Sequence, residues 1–159
     1  MSAAAPAPAK HAVPKSARFA IVAARFNGAI VDALLTGCVR KLEGLGVAPD
    51  HIETHQVPGA FELPLAAQVL AQTRKFSAVI CLGAVIRGDT PHFDYVAGEA
   101  ARGIQNVALR QSLPIIFGVL TTDNQEQARQ RAGGQHGNAG ERAAEAAVEM
   151  AALLAKVRR

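Results

Sequence analysis

Tryptophan is absent from this 159-residue chain, tyrosine occurs once and phenylalanine six times. A nucleic-acid surface would pair a basic stripe with interleaved aromatics, and the sequence has no such stripe. Lys and Arg outnumber Asp and Glu by only 17 to 13. Several of the cations (Lys10, Lys15, Arg18, Lys156, Arg158, Arg159) fall near the chain ends, where they need not form a patch. Cysteine occurs twice, as Cys38 and Cys81, each within an apolar segment and with no CxxC spacing. That pattern excludes a disulfide framework and reads as two reduced, buried thiols. No apolar run reaches the roughly 18–20 residues of a membrane span. The opening MSAAAPAPAKHAVPKSA lacks the apolar core of a secretory signal. The expected compartment is a reducing cytoplasm, with no membrane or nucleic-acid partner.

What the chain does contain is apolar: 50% hydrophobic against 19% charged residues, a balance that demands a folded core. Residues 1–17 are Ala/Pro-rich, and this composition predicts a flexible arm. Residues 18–159 then read as a single domain. RFAIVAA (18–24) suits a strand buried on both faces. Ile30, Val31, Leu34, Leu35, Cys38, Val39 and Leu42 recur at helical steps, and Gly44 and Gly46 end the pattern. HIETHQV (51–57) predicts a second strand. Leu63, Ala66, Ala67, Val69 and Leu70 predict a helix, with Pro64 tolerated in its first turn. SAVICLG (77–83) predicts a third strand, and Val96, Ala100, Ile104, Val107 and Ala108 mark a long helix. PIIFGVLT (114–121) is the fourth strand. Asp123 with Glu126, and Asn138 with Glu141, read as helix caps with an acid three residues on. Ala143, Ala144, Ala147, Val148, Ala151 and Leu154 line one face of a last helix. This alternation predicts an α/β fold: a flavodoxin-like, doubly wound sandwich with a four-stranded parallel sheet and helices on both faces.

Ligands of such sheets bind beyond the carboxyl ends of the strands. There the sequence puts Phe26 after strand one and Phe61 after strand two, with Phe117 inside strand four. Aromatics at that edge stack on flat heterocycles, or else plug the sheet against a neighbour. After strand three, GAVIRGDTPHFDYV (83–96) crowds Arg87, Gly88, Asp89, Thr90 and His92 into one loop. Backbone N–H groups near a helix start, with the Thr90 hydroxyl, suit a phosphate. Asp89 suits one only with its side chain turned away. The His92 imidazole is of the type that exchanges protons near neutral pH. His51 and His55 lack a third ligand, so no metal site is expected. GGQHG (133–137) lacks the Lys-Ser/Thr ending of a nucleotide-binding loop. Arg131 reads either as a phosphate partner or as a cation on a helix C-terminus.

The motifs ARFN (24–27), VPGAFELP (57–64), LGAVIRGDTPHFDYV (82–96), IFGVLTT (116–122) and RAGGQHGN (131–138) together resemble the lumazine synthases of riboflavin biosynthesis. The resemblance runs from about Arg18 to Met150. It implies condensation of 5-amino-6-(D-ribitylamino)uracil with 3,4-dihydroxy-2-butanone 4-phosphate, a transferase reaction that needs no metal or organic cofactor. It implies His92 as proton donor and acceptor. Phe26 would stack on the pyrimidine, with Asn27 beside it in the same motif. Ala60, Phe61 and Glu62 would line the pyrimidine and ribityl site. Ala84, Val85 and Ile86 would hold the uracil edge. Asp89 and Thr90 would bind the phosphate. Phe117 and Arg131 would come from a neighbouring subunit.

One residue departs from the family pattern. The family usually has Lys in GNKG, where this chain reads GNAG with Ala139. Losing a charged hydrogen bond there would cost about 1–3 kcal/mol, unless Gln135, His136 or Arg142 compensates. The resemblance further implies a homo-oligomeric pentamer, and the absence of an insertion near RAGGQHGN favours twelve pentamers in a sixty-subunit shell. Riboflavin synthase is a further partner it raises. A flavin-binding protein without turnover and a purely structural shell remain as rivals. His92 and Arg131 together argue against both, since neither rival needs a proton shuttle and a phosphate clamp.

Overall fold

The computed structural model describes residue 4, residues 6–10 and residues 12–159. His11, expected within the arm, lies outside the described residues. The strands of the main sheet are β1 (Phe19–Ala24), β2 (Ile52–Val57), β3 (Ala78–Ile86) and β4 (Ile115–Thr122). The helices are α1 (Gly28–Gly44), α2 (Leu63–Gln72), α3 (His92–Gln111), α4 (Gln125–Arg131) and α5 (Ala139–Val157). Two short strands, β5 (Ala132–Gly134) and β6 (Gly137–Asn138), form an antiparallel hairpin.

The sheet order is β2-β1-β3-β4, and every adjacent pair is parallel. The expected doubly wound sandwich is therefore the fold. Alternate side chains of the central strands feed two cores. Phe19, Ile21, Ile80 and Leu82 pack with α1 and α5 on one face. Ala20, Val22, Val79 and Cys81 pack with α2 and α3 on the other. Each fully buried Ile or Leu here stabilises the fold by about 1.5–3 kcal/mol, before conformational entropy is counted. β1 is buried throughout, which is why it reads as an unbroken apolar run. β2 is an edge strand with exposed polar side chains, and His51 falls just outside it in a single helical turn, Pro49–His51.

Three local expectations need correction. Asn124, not Asp123, caps α4: its Oδ1 accepts from the Gln127 backbone N–H at 2.9 Å. Gln127 answers by accepting from the Asp123 N–H at 2.9 Å, the part assigned to Glu126. Val69 does not join the core: it is exposed, because α2 buries Leu63, Ala67 and Ala71 instead. The Gly-rich loop is the β5–β6 hairpin, with left-handed Gly133 and Gly137.

The expected Asn138 cap is present, its Oδ1 accepting from Gly140 and Glu141 N–H groups. The Asn138 Nδ2 also donates to the Ala33 carbonyl at 3.0 Å, tying the start of α5 to α1. The two helices approach so closely that a Cβ at Gly140 would overlap the Leu34 carbonyl oxygen. Ahead of β1, the Ala9 N–H donates to Glu149 of α5, Val13 packs on the core and Ala17 is buried. Burial pushes the Cys38 and Cys81 thiols from 9.0 up to about 12, so neither serves as a nucleophile.

Candidate active site

The chain runs outward from β1 to β2 and then returns past β1 to β3. The direction of winding reverses between β1 and β3, which opens a crevice at their carboxyl ends. A cavity of about 600 Å³ lies there. Phe26, Asn27, Ala60, Phe61, Glu62, Ala84, Val85, Ile86, Thr90 and His92 all line it. These residues come from four stretches of chain, so only the fold brings them together.

Each stretch is held by its own backbone chemistry. The β1–β2 pairing continues past the strands, with Arg25 N–H donating to Val57 O at 2.8 Å and Phe26 N–H to Pro58 O at 3.1 Å. This fixes Phe26, a residue 74% exposed at the mouth. Asn27 takes the left-handed conformation, φ 56° and ψ 48°, which Asn tolerates better than most residues. Its Nδ2 donates to the Ala84 carbonyl at 2.8 Å and so ties the β1 loop across to β3. Glu62 Oε2 accepts from the Gly59 N–H at 3.0 Å, bracing the turn that presents Ala60 and Phe61. Thr90 Oγ1 accepts from the His92 N–H at 3.4 Å, at the start of α3.

Sequence reasoning missed Pro58, Gly59, Phe93, Tyr95 and Val96 as lining residues. A signal for two of them was present. His92, Tyr95 and Val96 are spaced i, i+3 and i+4, so a helix that turns His92 inward turns the others with it. Phe93 is held differently, its ring 4.3 Å beneath the Arg87 guanidinium. The Asp123 carboxylate, hydrogen-bonded to Arg87, and Asp94 beside it raise the Arg87 pKa above its ordinary value.

Three expected residues do not line this cavity. Asp89 is exposed in the loop ahead of α3. Arg131 bonds within its own helix, Nη1 to the Gln127 carbonyl at 3.0 Å, as a cation at a helix C-terminus does. Phe117 lies on β4, which among the described residues is an edge strand paired with β3. A second hollow of about 200 Å³ there joins Phe117 with Ala139 and Arg142. Of the three groups considered as substitutes for the missing Lys, Arg142 is the one beside Ala139. Its Nη1 donates to the His136 carbonyl at 3.2 Å.

Four aromatic rings, a hydroxyl at a helix start and an adjacent imidazole around its switch-point cavity make this a doubly wound α/β protein of the class with a pocket suited to small planar molecules. Comparison with known proteins narrows this. The model of the 6,7-dimethyl-8-ribityllumazine synthase family matches residues 16–155. Proteins named 6,7-dimethyl-8-ribityllumazine synthase from two strains of Clostridium kluyveri are each 53% identical over 137 residues, covering 86% of this chain and 89% of theirs. The chain belongs to the 6,7-dimethyl-8-ribityllumazine synthase family.

Proposed function

We propose that the chain catalyses the reaction for which its family is named. 5-Amino-6-(D-ribitylamino)uracil condenses with 3,4-dihydroxy-2-butanone 4-phosphate, and 6,7-dimethyl-8-ribityllumazine, phosphate and water are released. The observation that carries this reading is the meeting of Phe26, Phe61, Thr90 and His92 on one cavity between β1 and β3. Phe26 stacks on the pyrimidine, and Ala60, Phe61 and Glu62 receive the ring and the ribityl chain. Backbone groups of Ala84, Val85 and Ile86 face the uracil edge. The Thr90 hydroxyl and the N–H groups around Asp89 hold the phosphate. The 5-amino group adds to the ketone and water leaves as the imine forms; a proton leaves carbon as the phosphate departs, the resulting enol tautomerises to a ketone, and the ribityl-substituted amine closes the ring on it with loss of a second water. His92 takes and returns these protons. Holding two substrates in register supplies much of the remaining rate.

Phe117 and Arg131 complete the site of a neighbouring copy. Their position away from this chain's cavity supports that assignment, as does the exposed apolar series Phe61, Leu65 and Val69. A pentameric ring satisfies it, and twelve rings closing into a shell extend it. An association with riboflavin synthase would place the next enzyme within reach of the product. A cytoplasmic compartment suits the chain's two free, buried cysteines. Among the described residues no helix is long and apolar enough to cross a membrane. The test is lumazine formation by the intact protein, with His92→Ala and Arg131→Ala alongside. Turnover well above the uncatalysed rate, cut by both changes, is expected. Background rates from the unmodified protein, with retained binding of a ribityl-pyrimidine, would instead favour a binding protein without turnover.

A further inference from the structure

We propose that Arg87 is a positioning residue for His92, an inference that rests on the reading of His92 as the proton shuttle. Arg87 follows the last residue of β3. Its backbone N–H donates to the Thr122 carbonyl at 2.9 Å, carrying the β3–β4 ladder one step beyond its last registered pair. Its side chain then ties the end of β3 to two other pieces of the fold. Nε donates to Asp123 Oδ1 at 3.0 Å, in the connection from β4 to α4. Nη1 stands 3.5 Å from Asp94 Oδ1, in the first turn of α3. The guanidinium lies over the Phe93 ring, which itself lines the cavity.

His92 sits directly between these restraints. On one side its N–H is bonded to Thr90; on the other, the next two residues are both held by Arg87. The 88–91 loop is thus strung between two anchored ends. The guanidinium is already shared by two carboxylates and a ring, so it is poorly placed to serve a substrate anion directly. Magnitude separates this role from a structural one. The Arg87, Asp94 and Asp123 side chains are 45%, 65% and 69% exposed, and ion pairs so exposed add little to stability. Removing them should scarcely alter melting, yet an imidazole displaced by an ångström loses most of its advantage in proton transfer.

The experiment measures kcat and both KM values for Arg87→Gln, His92→Ala and the double variant in the assembled enzyme. Arg87→Gln is expected to lower kcat by roughly ten- to a hundredfold. The KM for the pyrimidine substrate should stay within about threefold, because Phe26, Ala60 and Val85 stand on other anchors. Melting temperature should move by no more than about 4 °C. In the His92→Ala background the same change should cost less than about twofold, since the group it positions is gone. Losses that multiply in the double variant, or an unchanged kcat in Arg87→Gln, overturn the proposal. Should Arg87→Gln fail to fold, Asp123→Asn releases the clamp from its far end and is read by the same two criteria. Full activity in His92→Ala would refute the shuttle reading itself, and that outcome is distinct from a failure of Arg87 alone.

Discussion

The cavity wall between β1 and β3 and the patch on β4 carry the same kinds of residue, an exposed aromatic beside polar groups, but differ in completeness. The wall gathers four stretches of one chain around about 600 Å³. The patch has Phe117 and Arg142 on a hollow of about 200 Å³, with the nearby chemistry turned inward: Arg131 bonds to Gln127 and Arg142 to His136. Under the function proposed above, the wall is a binding half and the patch, with Arg131, a clamping half, and the two do not meet within one chain. Among the described residues β2 and β4 are the outer strands of the sheet, and in the proposed assembly a neighbouring copy brings the two halves together.

Mixing tests this division most severely. His92→Ala chains and Arg131→Ala chains should each be nearly inactive alone. Co-assembled in equal amounts, they should recover about a quarter of full activity, because a site drawing on two chains receives both intact residues in about one arrangement of four. Activity assays on co-refolded mixtures supply the check. No recovery would mean that both residues serve the same chain's site, and the comparison between wall and patch would collapse.

The next effect is on folding. Gly140→Ala forces a Cβ into the Leu34 carbonyl at the base of the patch and should destabilise the protein by about 1–3 kcal/mol. Denaturant midpoints measure it. The wall stands on β1, β3, α2 and α3, so ribityl-pyrimidine binding should survive at temperatures where the variant remains folded. Loss of that binding would show that the two regions are not separable.

A smaller effect concerns affinity. Arg142→Ala should raise the KM for the phosphate substrate by several-fold, up to about tenfold, as for a charged hydrogen bond of about 1.5 kcal/mol. Ala139→Lys in that background should restore most of it. If Ala139→Lys improves the otherwise unaltered chain just as much, Arg142 was not compensating and the site was simply weak.

The two regions were unequally legible in the sequence, for physical reasons. The wall's residues are tied to strand ends, and β1 and β3 announce themselves because burial on both faces demands unbroken apolar runs. Phe26, Phe61 and His92 could therefore be placed by position along the chain. The patch lies beside a hairpin of Gly-rich sequence, where side chains give no alternation to read. The α4 cap was misread by one residue because Asp123 and Asn124 are chemically similar acceptors, and only backbone direction chooses between them. For Arg131 the sequence left two readings open, a phosphate partner or a cation on a helix C-terminus, and within one chain the side chain takes the second. The Arg87 clamp was equally hidden, since Asp123 lies 36 residues away and meets it only through the β3–β4 pairing.

A last effect, absent at neutral pH, asks whether the two faces of the sheet respond as one. Cys38 lies in the core shared with α5, beneath the patch, and Cys81 in the core shared with α2 and α3, beneath the wall. Burial raises both thiols to about 12 from 9.0. Between those values the unfolded chain releases the thiol protons while the native chain keeps them. The unfolded state then binds fewer protons, and stability falls as pH rises, by roughly 1 kcal/mol per pH unit for each thiol. Below pH 9 the effect vanishes. Cys38→Ala and Cys81→Ala should each lower absolute stability through the space they leave, yet each should flatten the decline between pH 9 and 12 by a similar amount. Denaturant titrations across that range compare the slopes. Equal flattening means that the wall and the patch unfold together, so any division of labour between them is functional only. Flattening by one substitution alone means that one face opens before the other, and that the two regions are separate in stability as well as in chemistry.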